Sequence, residues 1–121
     1  MGKHSTDSAW RNDPDRWHGE WQQPGTGSGV SIIFNETDTI GYGPALHSHP
    51  YAETFIVRKG RVRFIIGDDV IIATEGDILV APAGAPHRFE NMGPERLEMI
   101  DIHASPTFVT EWLQTRGIGI K

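Results

Sequence analysis

The sequence predicts an all-β domain, a barrel or sandwich, that carries a polar N-terminal arm and ends in a short helix. Three observations lead there. After Val30 the apolar runs are short, rich in Ile, Val and Phe, and punctuated by Gly, Pro and Asp, as strands are. Residues 1–29 are polar but carry Trp10, Trp17 and Trp21. Ser105-Pro106 reads as an N-cap followed by proline at the first helical position, and Gly117 supplies the stop.

The element order follows from these signals. Residues 1–29 form the arm, 30–105 the barrel, and 106–121 the helix and tail, in one domain overall. Tryptophan is rarely left in water, so the arm is expected to pack on the barrel's outer wall or on a second subunit. Strands are expected near 30–35, 40–48, 52–58, 61–67, 70–74, 78–82, 86–91 and 96–103. Asp68-Asp69 makes a tight hairpin, with Val62, Phe64 and Ile66 on one face by the period-two rule. Many short strands at this spacing imply a sandwich or barrel. In the final helix Phe108 and Trp112, and Val109 and Leu113, stand four apart and would close over one end of the barrel.

Composition narrows the function classes. The chain has 121 residues, 37% of them hydrophobic, and no apolar run nears the roughly 20 residues of a membrane helix. No secretory h-region follows Lys3, and with no cysteine there is neither a disulfide framework nor thiolate chemistry, so a cytoplasmic location is expected. A net charge of −5, with basic residues clustered only at Arg58, Lys59, Arg61 and Arg63, does not suit nucleic acid. The expected partners are a small-molecule ligand or substrate and, through the arm, a second copy in a homodimer.

The chemistry concentrates in two stretches. In the first, His47 and His49 stand two apart, a spacing that sends both imidazoles to one face of an extended chain, and Glu53 has the same parity after the Pro50 turn. The second runs from Gly76 through Pro82 and Gly84 to His87 and Asn91, where a proline and glycine turn delivers His87. Two imidazoles and a carboxylate on one face suit a divalent transition metal.

Both stretches resemble the motifs of the cupin family. The pattern G-x5-H-x-H-x3-E-x6-G is met by Gly41, His47, His49, Glu53 and Gly60, and G-x5-P-x-G-x2-H-x3-N by Gly76, Pro82, Gly84, His87 and Asn91. The 15 residues between the motifs resemble the compact microbial members. The resemblance covers residues 30–105 and implies a single double-stranded β-helix, the jelly-roll barrel. It further implies one divalent ion, Mn, Fe, Ni, Co or Zn, held by His47, His49, Glu53 and His87. Three imidazoles and one carboxylate leave about two open positions on a six-coordinate ion.

Two function classes follow from the resemblance. One is a metalloenzyme acting on a small metabolite by dioxygenase, isomerase or lyase chemistry, and the other is a non-catalytic module that binds or senses a small ligand through the metal. The complete ligand set favours the enzyme. Cupin lyases of one type carry a tyrosine two residues beyond the ligand glutamate, where this chain has Phe55.

Parity with the ligands makes Phe55, Val57, Phe64 and Phe89 pocket walls, with Tyr42 and Tyr51 as secondary candidates. His4 and His18 read as surface residues of the arm. On residues 97–103 one face carries Leu97, Met99, Asp101 and His103, the other Glu98, Ile100 and Ile102. If the mixed face turns inward, Asp101 and His103 line the pocket. The more apolar face normally turns to the core, so the outward placement is expected.

Overall fold

The computed structural model describes residues 2–114. Ten strands are present among them: β1 (Gly19–Trp21), β2 (Ser31–Thr37), β3 (His47–Ser48), β4 (Glu53–Lys59), β5 (Arg61–Ile66), β6 (Asp69–Thr74), β7 (Ile78–Ala81), β8 (His87–Asn91), β9 (Leu97–His103) and β10 (Glu111–Trp112). They form two five-stranded sheets with orders β1-β2-β9-β4-β7 and β10-β3-β8-β5-β6, and every pairing is antiparallel. The all-β jelly roll expected from the sequence is therefore present.

Period-two alternation builds the core between the sheets. Phe55 and Val57 of β4, Leu97 and Met99 of β9, and Val62 and Phe64 of β5 are all at most 1% exposed. The rings of Phe55 and Phe64 meet across the two sheets at 4.8 Å between centroids. At about 25 cal/mol per Å² of apolar surface, this interdigitated layer is the main source of stability.

Three local expectations are corrected. The β5–β6 hairpin turns at Gly67-Asp68, one residue before the expected place, since Ile66 pairs with Asp69 and Gly67 has a φ of 57°. Of residues 40–48 only His47–Ser48 are paired as a strand. Gly43 in the preceding stretch lies so close to the Phe89 backbone that a Cβ would sit 1.7 Å from the Phe89 carbonyl oxygen. A side chain there would force the two segments apart.

The third correction concerns the C-terminal helix. Residues 105–114 contain none; the chain runs extended, and Glu111 and Trp112 pair with Ser48 and His47. Thr107, Phe108, Val109 and Thr110 are β-branched or aromatic, poor helix formers and good strand formers, and the open edge of β3 offers them hydrogen-bond partners. The expected stop at Gly117 lies outside the described residues.

The arm packs on the outer wall of its own barrel. β1 pairs with β2 in the register Gly19 with Phe34, Glu20 with Ile33 and Trp21 with Ile32. Trp10 stacks on Phe34 with 3.7 Å between ring centroids, and Trp17 meets both rings edge-on at 5.3 Å. A register shift between Val57 and Lys59 in the β4–β9 pairing frees Arg58, whose guanidinium lies 3.9 Å over the Trp17 ring. The indole N–H of Trp17 donates to the Met99 carbonyl at 3.2 Å. No helix among the described residues is long and apolar enough to cross a membrane.

Trp17 thus joins the arm to the barrel by stacking, cation–π contact and a hydrogen bond. We expect Trp17→Ala to lower unfolding stability by about 2 kcal/mol, measured by urea denaturation. A change below about 0.5 kcal/mol would mean the arm contributes nothing to the folded barrel.

Candidate metal centre

The four motif side chains converge between the two sheets. His47 and His87 are cross-strand partners on β3 and β8, Glu53 opens β4 in the opposite sheet, and His49 sits on the segment that crosses from one to the other. All four are buried, and one ligand atom from each lies within 4.8 Å of all the others. Gly84, with φ of 80°, turns the chain before β8 while its N–H donates to the His49 carbonyl at 2.8 Å. The turn that aims His87 is thereby tied to the segment that carries His49.

Each of the three motif histidines has its Nδ1 on a backbone carbonyl: His47 on Ala45 at 2.7 Å, His87 on Ala85 at 2.9 Å and His49 on Val109 at 2.8 Å. A carbonyl can only accept, so in each ring Nδ1 carries the hydrogen and Nε2 presents its lone pair inward. The Nε2 atoms of His49 and His87 each stand 3.0 Å from Glu53 Oε1. Lone pairs facing a carboxylate oxygen repel unless a proton or a cation lies among them. His49 Nε2 is also buried without an aligned hydrogen-bond partner. A divalent cation resolves both features, so the donor set fits one.

A fourth imidazole, His103, faces the other carboxylate oxygen. Tyr51 Oη accepts the Val109 N–H at 3.0 Å and shares a hydrogen bond with His103 Nδ1 at 2.6 Å. His103 Nε2 stands 3.1 Å from Glu53 Oε2 and, like His49 Nε2, is buried without an aligned hydrogen-bond partner. Glu53 therefore has His49 and His87 at one oxygen and His103 at the other.

The outward placement expected for Asp101 and His103 is overturned, as both are 2% exposed and line the cavity. The outer face of β2 and β9, where Ile32, Phe34, Ile100 and Ile102 lie, is half-buried, with the arm's β1 and tryptophans packed on the β2 side. Apolar residues were needed on that face as well, so comparing the two faces of one strand misjudges which is inside.

A cavity of about 400 Å³ opens beside the cluster, lined in part by Ile33, Asn35, Tyr42, Phe89, Phe108 and Trp112. Of the walls expected from parity, Phe89 and Tyr42 line it, while Phe55, Val57 and Phe64 lie in the core beneath. Same-face residues on a strand are about 6.6 Å apart, so parity gives direction and not depth. Tyr51 acts instead through His103. His18, expected on the surface, stands at the cavity wall. Sequence reasoning missed Asn35, Val109 and the position of Trp112 beside His47, 5.0 Å between ring centroids, because the helix expectation moved the last segment away. A larger cleft of about 470 Å³, between arm and barrel wall, holds His4 and Lys3 but no comparable cluster of ligating groups.

The environment sets the charges. Burial pushes His47 down to about 4, against the pull of the Ala45 carbonyl. Burial also presses His49 downward, but Glu53 and the Val109 carbonyl outweigh it and hold the ring above its ordinary value. For Glu53 burial acts upward, yet His103, His49 and His87 together keep the carboxyl well below the usual range. Burial and the neighbouring Glu53 charge push Asp101 well above it, with Asn35 opposing.

The cupin domain model matches residues 37–103, more than half of the sequence, and the chain belongs to the cupin family. It is similar over 56 residues, at 36% identity, to the xanthan biosynthesis protein XanB of Xanthomonas campestris pv. campestris; the match spans 46% of this chain but 12% of XanB. Among solved structures it is similar to a protein with a double-stranded β-helix domain from Klebsiella pneumoniae, with a TM-score of 0.68, 20% identity and coverage of 95% of this chain and 99% of that one. It is also similar to the oxalate decarboxylase of Bacillus subtilis, a protein with Mn(II) centres, with a TM-score of 0.68, 18% identity and coverage of 78% and 27%. At these identities the two structural likenesses show the fold.

His47 gives the metal-free protein a defined pH dependence. Its folded value near 4 lies below the ordinary 6.5, so between those pH values the unfolded chain binds more protons. The stability that this neutral imidazole contributes is complete above pH 6.5 and is lost as pH falls towards 4. We expect wild type to lose more stability than His47→Gln across that window in denaturant titrations of metal-free protein. The opposing contribution of His49 is common to both and cancels. A difference between the two proteins that stays constant with pH would contradict the account.

Proposed function

We propose that this cupin holds one divalent transition metal through His47, His49, Glu53 and His87 and acts as an enzyme on a small organic molecule in the adjoining cavity. The observation that carries the reading is the set of three inward Nε2 lone pairs, each fixed by an Nδ1–H to carbonyl bond, around a buried carboxylate. A six-coordinate ion in that set, Mn(II) or Fe(II) being the first candidates, supplies Lewis-acid or redox chemistry at about two open positions. The Mn(II) centres of the oxalate decarboxylase similar in fold support manganese.

The chain's own residues supply the rest. Phe89, Phe108, Ile33 and Pro44 give the cavity apolar walls, with the exposed Trp112 at its rim. His103, hydrogen-bonded to Tyr51, stands 3.1 Å from Glu53 Oε2, while His49 and His87 face Oε1. Asp101 and His103 at the cavity wall give it proton-bearing groups besides the ligands, which favours catalysis over a purely binding role. The reaction class within the family, whether dioxygenase, isomerase or lyase, is read from turnover.

The reading is tested by elemental analysis of protein purified without added metal, followed by turnover and oxygen uptake against a metabolite panel. We expect one divalent ion per chain in wild type and at least a tenfold loss of metal affinity in His87→Ala. Unchanged metal content in that variant would sink the ligand assignment. Metal and ligand binding with no turnover would instead establish the binding or sensing module.

A further inference from the structure

Asp101 has no role in holding the candidate ion, yet its burial is the more unusual feature of the pocket. It lies on β9 with its side chain turned into the cavity, and it is 2% exposed. One oxygen, Oδ2, accepts a hydrogen bond from the Asn35 amide across the β2–β9 pair. The other, Oδ1, is buried with no hydrogen-bond partner. Buried polar atoms are nearly always paired, so an orphan at a cavity wall marks a place where a bound molecule completes the set.

The neighbourhood decides which way that bond runs. No lysine or arginine lines the cavity among the described residues, and Glu53 is the nearest strong charge on the same side. An ionised Asp101 would be a second buried carboxylate beside Glu53 with no side-chain cation to pair it and no donor on Oδ1, which is disfavoured. As a neutral acid it has one arrangement that suits Asn35: Oδ2 stays the acceptor and Oδ1 carries the hydrogen. The upward displacement of this carboxyl by burial agrees with that geometry.

We propose that Asp101, steadied by Asn35, is the recognition residue of the pocket, and that its Oδ1–H donates to an acceptor oxygen of a small carbonyl compound seated beside the ion. The proposal rests on the metal-site reading above. Apolar walls at Ile33, Phe89, Phe108 and Trp112 and the lack of lysine or arginine restrict the ligand to a neutral or singly charged compound. A multiply charged phosphate or dicarboxylate finds no countercharge besides the metal. Asn35 serves as a positioning residue, because its amide leaves only Oδ1 free to face the ligand.

The test uses the full chain loaded with Mn(II) and pyruvate as the probe, a singly charged carbonyl compound, with binding read by water-proton relaxation. Asp101→Leu removes the donor, and pyruvate affinity is expected to fall about tenfold while manganese content stays at the wild-type level. Asp101→Asn keeps an N–H donor towards the cavity and its carbonyl towards Asn35, so its affinity is expected within about threefold of wild type. If Asp101→Leu does not fold, Asn35→Leu carries the same test, with an expected loss of roughly fivefold. Equal pyruvate affinity in wild type and in the Leu variants, at full manganese content, would overturn the recognition role alone. An Asp101→Asn protein as weak as Asp101→Leu would overturn the direction of the hydrogen bond. Wild-type protein that takes up no manganese would overturn the metal reading and this proposal with it.

Discussion

Everything in the pocket is arranged around one buried carboxylate. Glu53 is 3% exposed and, among the described residues, has no lysine or arginine ion-paired to it; it is surrounded instead by His49, His87 and His103 at 3.0–3.1 Å. An isolated buried carboxylate is prohibitively costly, so the fold must supply positive charge or donors at that point. His103 approaches one oxygen. At the other, two imidazoles with Nδ1 bound to carbonyls present Nε2 lone pairs, and that arrangement makes physical sense around a cation.

The architecture follows from that need. Glu53 and His103 are cross-strand partners in one sheet, and His47 and His87 are cross-strand partners in the other, so the site exists only when the sheets face each other. The extended C-terminal segment completes it. Val109 accepts from His49 Nδ1 and donates to Tyr51, so one residue fixes the tautomer of a ligand histidine and positions the Tyr51 hydroxyl against His103. A segment outside both cupin motifs thereby decides which nitrogens face the ion.

The motifs made the ligand positions legible, because fixed spacing of His, Glu and Gly encodes strand parity and turn geometry directly. The barrel's strands were legible for the same reason, from short β-branched runs between glycine and proline. Three things were not. Pro106 is also compatible with an extended segment, and only the free edge of β3 decides that Glu111 and Trp112 join it. The facing of Asp101 and His103 depends on Trp10 and Trp17 covering the outer wall, a tertiary contact with no local signature. The depth of Phe55, Val57 and Phe64 depends on how far each lies along its strand from the ligands, which alternation does not record.

The site couples a cluster fit for a metal to a mostly apolar cavity, with Asp101 and His103 as buried polar groups beside the cluster. Such a division suits a small molecule held by the ion at one end and by a single hydrogen bond at the other. The central claim is the composition of the ion's nearest coordination sphere. X-ray absorption spectroscopy on the metal-loaded protein reads it directly: the account predicts three imidazole nitrogens and one carboxylate oxygen, with about two further light donors from water. A sphere with four imidazoles, or with fewer than three, would contradict the roles assigned here to His103 and to the Nδ1-locked histidines.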